Sequence, residues 1–346
     1  MQTYKLIGHI KTLQPVNITL PNTKGMPTSH GNPMIPASSI RGWLRHAAHN
    51  AVTEIYAKKG RLLDVDTHYL LASGVDTGRV LAVTGQSTKV GANHAIRLKH
   101  PLLSTWGYWG LAGKAAVGSA VADSKDALLV LSGGARQHVF NRNERLSGFV
   151  NESELDYLQE IILADAYSAE ALVDYKAEIK ELKKAIASTT DKDEKAEIRE
   201  RIKEIEALIR AAKDSRVGAK ESIQRPLETI EAIDEGQVLP HRMNVKNPNE
   251  HELDLLLWSI AMASLHPFIG GHNNANFGEV AAEWEVTVTD IDNLTPKSLG
   301  KIGFDETGFY STVESFDANA VTKKILDGTI NIGSFVDKEE ALVKLA

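Results

Sequence analysis

Four stretches of the chain carry the hydrophobic patterns that are typical of strands. Residues 3–14 (TYKLIGHIKTLQ), 237–247 (QVLPHRMNVKN) and 280–290 (VAAEWEVTVTD) alternate between apolar and polar positions, which predicts strands with one buried face. ALLVLSG at 127–133 is a short apolar run and predicts a buried strand. These candidates are widely separated along the chain.

Two further stretches repeat their apolar residues at the three- and four-residue spacing of a helix. The first begins at Ser38, where Ser38 or Ser39 can cap it, and ends at Gly60. The second covers residues 247–265 and opens with Asn249. The apolar positions are Ile40, Leu44, Ala47, Ala48, Ala51, Val52 and Ile55 in the first helix, and Leu253, Leu256, Leu257, Ile260 and Ala261 in the second.

In chain order these elements read strand, helix, strand, insertion, strand, helix, strand. That order predicts an α+β, ferredoxin-like (RRM-like) βαββαβ core in a single domain with large insertions. A fold of this kind hosts many functions and does not define one. Outside the core lie an irregular, glycine-rich and finger-like insertion at 61–125, a central insertion, and a C-terminal extension at 291–346 with little signal.

Residues 151–213 predict a helical hairpin within the central insertion. Apolar residues recur at spacings of three and four in two runs, which are Leu172, Tyr175, Ile179, Leu182 and Ile186, then Ile198, Ile202, Ile205 and Ile209. Between the runs, Asp191 and Glu194 form a capping-box-like pair. The outer faces are charged, with a net charge of -5, which indicates inserted structure rather than a catalytic element.

The composition limits the classes of protein that fit. Of the 346 residues 42% are hydrophobic and none is cysteine, which excludes disulfides, thiolate metal sites and cysteine catalysis. No apolar run approaches the length of a membrane span, and the start lacks the apolar core of a signal peptide. We expect a soluble, intracellular protein without membrane contact.

Charge is distributed unevenly, although the net charge is only -6. Residues 1–150 contain 17 Lys/Arg against 7 Asp/Glu, and no acid precedes Glu54, whereas residues 151–250 sum to -7 and residues 251–346 to -9. This separation predicts a part near the N-terminus that faces a polyanion. A subunit polarised in this way could also stack head to tail.

MIPASSIRGWLRH at 34–46 places two arginines and two hydroxyls at the start of the first predicted helix. Arg41 and Arg45 are four residues apart and share one helix face, beside Ser38 and Ser39. Free backbone N–H groups, hydroxyls and guanidinium groups together make a phosphate site. The alternative is a surface arginine pair with a routine serine cap, and the lack of acids nearby favours binding.

HPFIGGHNNANFGEV at 266–280 is a glycine- and asparagine-rich loop without lysine or arginine, placed between the second helix and the last strand. Gly270 and Gly271 allow backbone conformations and close approaches that other residues resist. A helix C-cap that runs into a tight turn would explain Gly270 equally well.

These two segments resemble motifs of a known family. IPASSIRGWLR resembles the I-P-x-S-S-[LI]-[RK]-G-x-[LIF]-R signature of the RAMP superfamily of CRISPR-associated proteins, and IGGHNNANFGEV is similar to its loop G-G-x-x-[ST]-x-G-[FLY]-G-x-V. HPLLSTWG at 100–107 is weakly similar to a segment that ends in Leu-Phe-Gly, with Trp106 as the aromatic residue. The order and separation match the backbone subunits of CRISPR effector complexes (the seventh Cas family), and the proportions are most like the type IV form.

The resemblance implies a non-catalytic subunit that binds CRISPR RNA (crRNA), without a cofactor or metal, in the cytoplasm of a prokaryote. Its implied partners are crRNA, complementary target nucleic acid, head-to-tail copies of itself and other effector subunits. Asparagines replace the arginine or serine that the family loop commonly carries, so Arg41 and Arg45 would carry more of the phosphate contact. The implied RNA-binding residues are Ser38, Ser39, Arg41, Arg45, Gly270, Gly271, His272, Asn273, Asn274, Asn276 and Phe277.

Backbone subunits of this family also extend a thumb-like β-hairpin that interrupts the RNA at intervals. By position, residues 214–236 are the implied segment. Its basic and apolar candidates are Arg216, Lys220, Ile223, Arg225 and Leu227. Ordinary strand pairing is the alternative explanation for the apolar ones.

Enzyme functions find less support. Relatives that cut target RNA carry an aspartate in the loop after the first strand, and Pro15–Pro36 contains no acid, although His30 could act as a base. GYWGLAGKA at 107–115 misses the P-loop pattern, because Tyr108 replaces its first glycine and Ala115 its Ser/Thr.

His46 and His49 share a helix face, but the sequence suggests no third metal ligand nearby. An endoribonuclease of the same superfamily that uses histidine chemistry stays open as an alternative function, and a small-ligand enzyme built on the glycine loop is a remoter one.

Overall fold

The structure is a computed structural model that forms two compact units, Met1–Leu131 with Ile230–Ala346, and Ser132–Thr229. The residues that it describes are 1–19, 25–75, 96–108, 110–131, 177–186, 192–214, 229–273 and 277–332, with the backbone of 135–136 and 225–226 and isolated positions at 154, 156, 175 and 189.

The strands, in chain order, are β1 (Gln2–Thr12), β2 (Thr28–Ser29), β3 (Asn32–Ile35), β4 (Gly107–Tyr108), β5 (Leu111–Ala112), β6 (Ala115–Val117), β7 (Ala120–Val121), β8 (Leu128–Leu131), β9 (Ala135–Arg136), β10 (Arg225–Pro226), β11 (Ile230–Ile233), β12 (Val238–Lys246), β13 (Val280–Asp290), β14 (Lys297–Asp305) and β15 (Gly308–Ser311). The helices are α1 (Ala37–Lys58), α2 (Val65–Ser73), α3 (Pro101–Trp106), α4 (Lys192–Asp214), α5 (Glu250–Ala263) and α6 (Ala318–Asp327), with a 3₁₀ turn at Lys125–Ala127.

The main sheet has six strands in the order β15-β14-β13-β1-β12-β6, and all neighbours are antiparallel. Four of its strands form a βαββαβ chain in the order β1, α1, β6, β12, α5, β13. In the sheet these strands lie side by side as β13-β1-β12-β6, which is the fourth, first, third and second strand of that chain. This confirms the predicted ferredoxin-like α+β fold. Strands β14 and β15 come from the C-terminal extension and lengthen the sheet.

The second core strand differs from the prediction. The run at 127–133 forms β8, but β8 pairs with β11 in a separate two-stranded sheet, and its side chains are half-buried or exposed. The place beside β12 belongs to β6, where Ala115 lies opposite Val245. Three residues in a glycine-rich stretch are too few to show an alternation, which explains why the pattern did not indicate β6.

The two core helices, α1 and α5, bury the apolar residues whose spacing predicts them. Ile40, Leu44 and Val52 of α1 are completely buried, as is Trp258 of α5. Asn249 begins α5 with a full capping box, in which it and Glu252 bond each other's backbone N–H groups at 2.8 Å.

Glu252 is a buried charge with a complete set of partners. Its carboxylate accepts hydrogen bonds from Lys114 Nζ at 2.6 Å and from Ser104 Oγ at 2.5 Å. Because a buried carboxylate is costly without such donors, these contacts connect α5 to α3 and to the residue before β6. The region at 61–125, which the sequence predicts to be irregular, therefore contains short helices and strands.

The second unit contains helical structure at the predicted place. Ile202 and Ile205 of α4 are buried, and Arg201 bonds Glu178 at 3.1 Å in the helical stretch 177–186. The hydroxyl of Thr189 donates to Glu194, while Asp191, the predicted capping residue, lies outside the described residues. Among the residues that the structure describes, no helix is both long and apolar enough to cross a membrane.

Candidate nucleic-acid interface

Helix α1 begins one residue earlier than the sequence predicts. Pro36 is the N-cap and forms no side-chain cap, and the N–H of Ala37 donates to Ser119 Oγ at 3.1 Å. The prediction that Ser38 or Ser39 caps the helix is therefore wrong. Ser38 is exposed and Ser39 is half-buried, and both lie in the first turn, at the positive end of the helix dipole. The N–H groups of Ser39 and Ile40 already donate to the carbonyl of Pro36.

Arg45 has a different environment from the one that a phosphate contact requires. Its side chain is only 7% exposed, and its Nε and Nη2 atoms donate to the carbonyls of Leu71 and Leu70, each at 2.6 Å. It thus binds the last carbonyls of α2, a role that lysine and arginine often take at helix C-termini. Burial lowers the pKa of Arg45 to about 10, with a further contribution from the charge of Arg41. This geometry disagrees with the expectation that Arg45 binds phosphate.

Arg41 is less buried than Arg45. Its side chain is half-buried, and its Nε atom is buried without a hydrogen-bond partner among the residues that the structure describes. Its charge acts on Arg45, which agrees with the predicted shared helix face. Of the two arginines, Arg45 is therefore the one already held by backbone carbonyls, and Arg41 is the one that remains partly exposed.

The glycine loop is a tight turn that packs on the segment after β1. Ile269 N–H donates to Gly278 O at 2.8 Å, and Gly271 N–H donates to Asn17 O at 3.0 Å. Gly270 has φ 92°, and a Cβ there would lie 2.2 Å from Asn17 O. The residue must therefore be glycine, because both the positive φ and the contact exclude a side chain.

The loop presents a mixed polar and aromatic surface. Gly271 and His272 are exposed, Asn273 and Phe277 are half-buried, and the rings of His272 and Phe277 lie 6.0 Å apart. Asn274 and Asn276 lie outside the described residues. Asn273 Oδ1 is buried and has no partner in the described part of the chain.

A groove of about 710 Å³ joins the two motifs. Ser39 from α1 and Gly270 from the glycine loop both line it, although they are more than 200 residues apart. Aromatic side chains contribute to its walls, namely Trp43, Trp258 and Phe268, and its polar or charged lining residues include His46, Asn50, Glu54, Lys58, His266 and Thr322. Aromatic surfaces beside the positive end of a helix dipole suit a single-stranded nucleic acid.

Sequence reasoning missed an acid near the loop after β1. Glu231 of β11 accepts Met26 N–H through Oε2 at 2.8 Å, and its backbone carbonyl accepts Asn17 Nδ2 at 2.6 Å. No local signal could indicate this contact, because Glu231 is 205 residues from Met26. His30, the base candidate in this loop, is exposed at the turn between β2 and β3, with φ 51°.

The thumb candidates lie mostly outside the described residues, namely Arg216, Lys220, Ile223 and Leu227. Arg225 belongs to β10, which pairs with β9, and β11 pairs with β8. In the described part, the strands of 214–236 therefore pair with residues that precede the helical insertion.

Comparisons with known proteins add little. No protein-family model matches the chain, and no curated protein matches it. Among solved structures, Csc2 from Thermofilum pendens is 12% identical, with 99% of this chain and 77% of that chain covered and a TM-score of 0.32. A likeness at that score carries no argument about this protein, so its function must be argued from its own residues.

Proposed function

We propose that this chain is a non-catalytic, crRNA-binding backbone subunit of a CRISPR ribonucleoprotein, of the type IV form, which polymerises head to tail along the guide and presents it to a complementary target. The proposal combines the RAMP-like motifs with one observation, the shared groove. Two motifs more than 200 residues apart meet there, with Ser39 from the first and Gly270 from the second.

The groove supplies binding contacts of two kinds. The start of α1 contributes the hydroxyl of Ser39 at the positive end of the helix dipole, with Arg41 two residues further along the helix, which suits phosphate. Trp43 and Phe268 offer surfaces on which bases can stack without sequence preference, as a subunit that tolerates any guide requires. The excess of basic residues in 1–150 adds long-range attraction for a polyanion.

The most direct test places a negative charge in the groove. Ser39→Glu adds a carboxylate at the third helical position, where a helix tolerates it well, so folding should be retained. We expect at least tenfold weaker binding of a fluorescent single-stranded RNA in an anisotropy titration. Ala320→Glu is the control, because it also introduces a glutamate at the third position of a helix, in α6 and outside the groove lining.

Equal affinities for the two variants would contradict the groove as the RNA site. The assembly itself can be tested with protein purified from a bacterial host, by measuring the A260/A280 ratio and imaging the particles by negative-stain electron microscopy. A regular string of subunits that contains nucleic acid is expected, and RNA-free monomers would contradict the scaffold function.

The absence of catalysis is a separate part of the proposal. Loaded with guide RNA and supplied with magnesium, the protein should bind a complementary strand and leave it uncut, since phosphodiester cleavage needs a positioned base or metal-holding carboxylate at the scissile phosphate. Cutting at regular sites that His30→Ala abolishes would favour the endoribonuclease instead.

A further inference from the structure

The main sheet has an open face as well as the face that α1 and α5 cover. Side chains alternate along each strand, and Leu6, Ile10 and Met243 are completely buried in the core that these two helices share. The residues between them point the other way, and on β1 and β12 they are half-buried or exposed. Because α1 and α5 also line the groove, the open face and the groove lie on opposite sides of the sheet.

Two adjacent inner strands, β1 and β12, place only neutral and basic side chains on the open face. Directly opposite residues of an antiparallel pair lie on the same side of a sheet. The register therefore sets the outward residues in five rows, which are Thr3 with Lys246, Lys5 with Asn244, Ile7 with Arg242, His9 with Pro240, and Lys11 with Val238. Neither strand contains Asp or Glu. The four exposed cations, here called the basic strip, are Lys5, Lys11, Arg242 and Lys246.

The basic strip is not neutralised within the part of the chain that the structure describes. None of its four side chains forms an ion pair there, whereas Lys301 of β14, on the same face, bonds Glu283 at 2.9 Å. Tyr310 also donates to Glu283, at 3.0 Å, and Glu285 lies opposite Lys301. The acids of β13 are thus matched by groups on their far side. The field of the basic strip is directed at solvent, where it favours an anionic partner.

The length of the basic strip indicates a polyanion rather than a small anion. Because Lys246 is level with Thr3, the strip extends over eight residues of β1, from Thr3 to Lys11. At about 3.4 Å per residue this is about 27 Å. A nucleic-acid duplex carries one phosphate per strand for about every 3.4 Å of its axis, so about eight base pairs match that length.

The side chains around the cations favour a duplex over a single strand. Sites for single strands combine basic residues with aromatic side chains on which the bases stack. None of the outward residues in the five rows, all of which the structure describes, is Phe, Tyr or Trp. In a duplex the bases already stack on each other, so phosphate contacts are sufficient. Protein interfaces are also enriched in aromatic residues, which argues against a protein partner.

We propose that the basic strip binds the phosphate backbone of a nucleic-acid duplex without regard to sequence. The strip is a second nucleic-acid site, on the side of the sheet opposite the groove. It uses charge alone, whereas the groove combines a helix start with aromatic surfaces. The site does not depend on the proposed function, because it rests on the register and exposure of β1 and β12.

Two other polar clusters in the described part of the chain carry no proposal. His49 Nε2 and His68 Nδ1 are 2.9 Å apart, which is a hydrogen bond between two imidazoles rather than a pair of free ligands. In the second cluster, Lys324 Nζ bonds Glu250 at 3.0 Å and Asp254 at 3.1 Å, so an ammonium group already neutralises both carboxylates.

The test is an anisotropy titration of the full-length protein, freed of nucleic acid, with a fluorescent DNA duplex of about 16 base pairs, twice the length of the strip. Lys5→Gln combined with Arg242→Gln should weaken binding at least tenfold at low salt. It should also lower the slope of log K against log salt by about 1.8, since each phosphate contact on a duplex contributes about 0.9. Arg61→Gln combined with Lys323→Gln is the matched control, because it removes the same two charges at exposed positions outside the sheet.

The outcomes separate the two nucleic-acid sites. Ser39→Glu in the groove should leave duplex binding unchanged, so failure of the proposed function would not affect this result. An equal loss in the control, or unchanged duplex binding in Lys5→Gln with Arg242→Gln, would overturn the proposal. An equal loss for single-stranded RNA of the same length would assign the strip to single strands. A changed oligomeric state without a change in duplex binding would assign it to a protein partner, and either result would overturn the proposal.

Chemical footprinting keeps the proposal testable if the double variant folds poorly. Lysines of the unmodified protein are acetylated with and without the DNA duplex, and the products are read by mass spectrometry. The duplex should protect Lys5, Lys11 and Lys246 and leave the exposed Lys323 reactive. Equal reactivity of the three strip lysines in both samples would overturn the proposal without any substitution.

Discussion

Arg45 and Arg41 belong to one motif and one helix face, but the structure gives them different neighbours, and replacing each one separately tests that difference. Arg45→Met keeps the aliphatic stem and removes the guanidinium that bonds the carbonyls of Leu70 and Leu71. A hydrogen bond from a charged donor contributes about 1.5–3 kcal/mol. Arg45→Met loses two such bonds but no longer has the cost of burying a charge, and this offsets part of the loss. The expected destabilisation is therefore about 2–3 kcal/mol.

Urea denaturation followed by circular dichroism measures this loss, with Arg41→Gln as the matched comparison. Arg41 makes no such pair of bonds with the described residues, so its replacement should cost under about 1 kcal/mol, as is usual away from such features. The RNA titrations should show the reverse order. Arg41→Gln should lower the slope of log K against log salt by roughly 0.7 for one phosphate contact on a single strand, and Arg45→Met should leave it unchanged.

A free energy of unfolding within about 0.5 kcal/mol of the original value in Arg45→Met, the range of a neutral surface change, would refute the structural role of Arg45. An equal fall of the salt slope in both variants would place both guanidinium groups on the RNA and would refute it as well.

Three other predictions concern the loop, the pH response and the insertion. Both Gly270 and Gly328 have a positive φ, so an alanine at Gly328 should cost roughly 1–2 kcal/mol through backbone strain alone. Gly270→Ala should destabilise the protein several times more, because its new Cβ would also lie 2.2 Å from Asn17 O. Burial lowers the pKa of His241 to about 4 from a reference value of 6.5. As the pH drops, His241 is therefore protonated in the unfolded chain before it is protonated in the folded protein. The free energy of unfolding should accordingly fall between pH 6.5 and pH 4. Replacing residues 152–213 by a short Gly-Ser linker should leave a cooperative melt, because Met1–Leu131 and Ile230–Ala346 form a compact unit without them.

Each of these has a simple check. Thermal melts of the two glycine variants should differ clearly, and equal shifts would contradict the contact at Gly270. His241 accepts from Trp284 Nε1 and bonds Gly118 O, so His241→Gln should flatten the dependence of stability on pH, and an unchanged profile would assign the effect to other groups. Insoluble protein after the deletion would show that the helical insertion is needed for folding.

The sequence predicted those parts of the fold whose patterns are long and local. Strand β13 has the predicted bounds of 280–290, and β1 and β12 differ from theirs by one or two residues. Each of these strands buries one face, so its apolar and polar residues alternate and the sequence alone indicates a strand. Strand β6 could not be found in this way, because its place is defined by pairing with β12, more than 120 residues away.

The site was predicted in part for the same reason. Helical spacing correctly placed Arg41 and Arg45 on one face, but spacing does not tell which element covers that face. In this protein α2 packs against Arg45, and the carbonyl of Leu71 in α2 accepts a hydrogen bond from the Arg45 guanidinium. His68 and Glu231 were missed because each reaches its partner through the tertiary fold rather than through a local motif.

The order in which the sheet is assembled has a consequence for synthesis of the protein on the ribosome. Strand β1 is made first, yet both of its neighbours, β12 and β13, lie beyond the residues of the second unit. At translation rates of about 5–20 residues per second, the 98 residues from Ser132 to Thr229 delay those neighbours by roughly 5–20 seconds. During that interval the buried face of β1, with Leu6 and Ile10, has no sheet to join. Nascent chains of this protein therefore expose an apolar strand for much longer than a compact ferredoxin-like domain does, and they should be frequent clients of ribosome-associated chaperones.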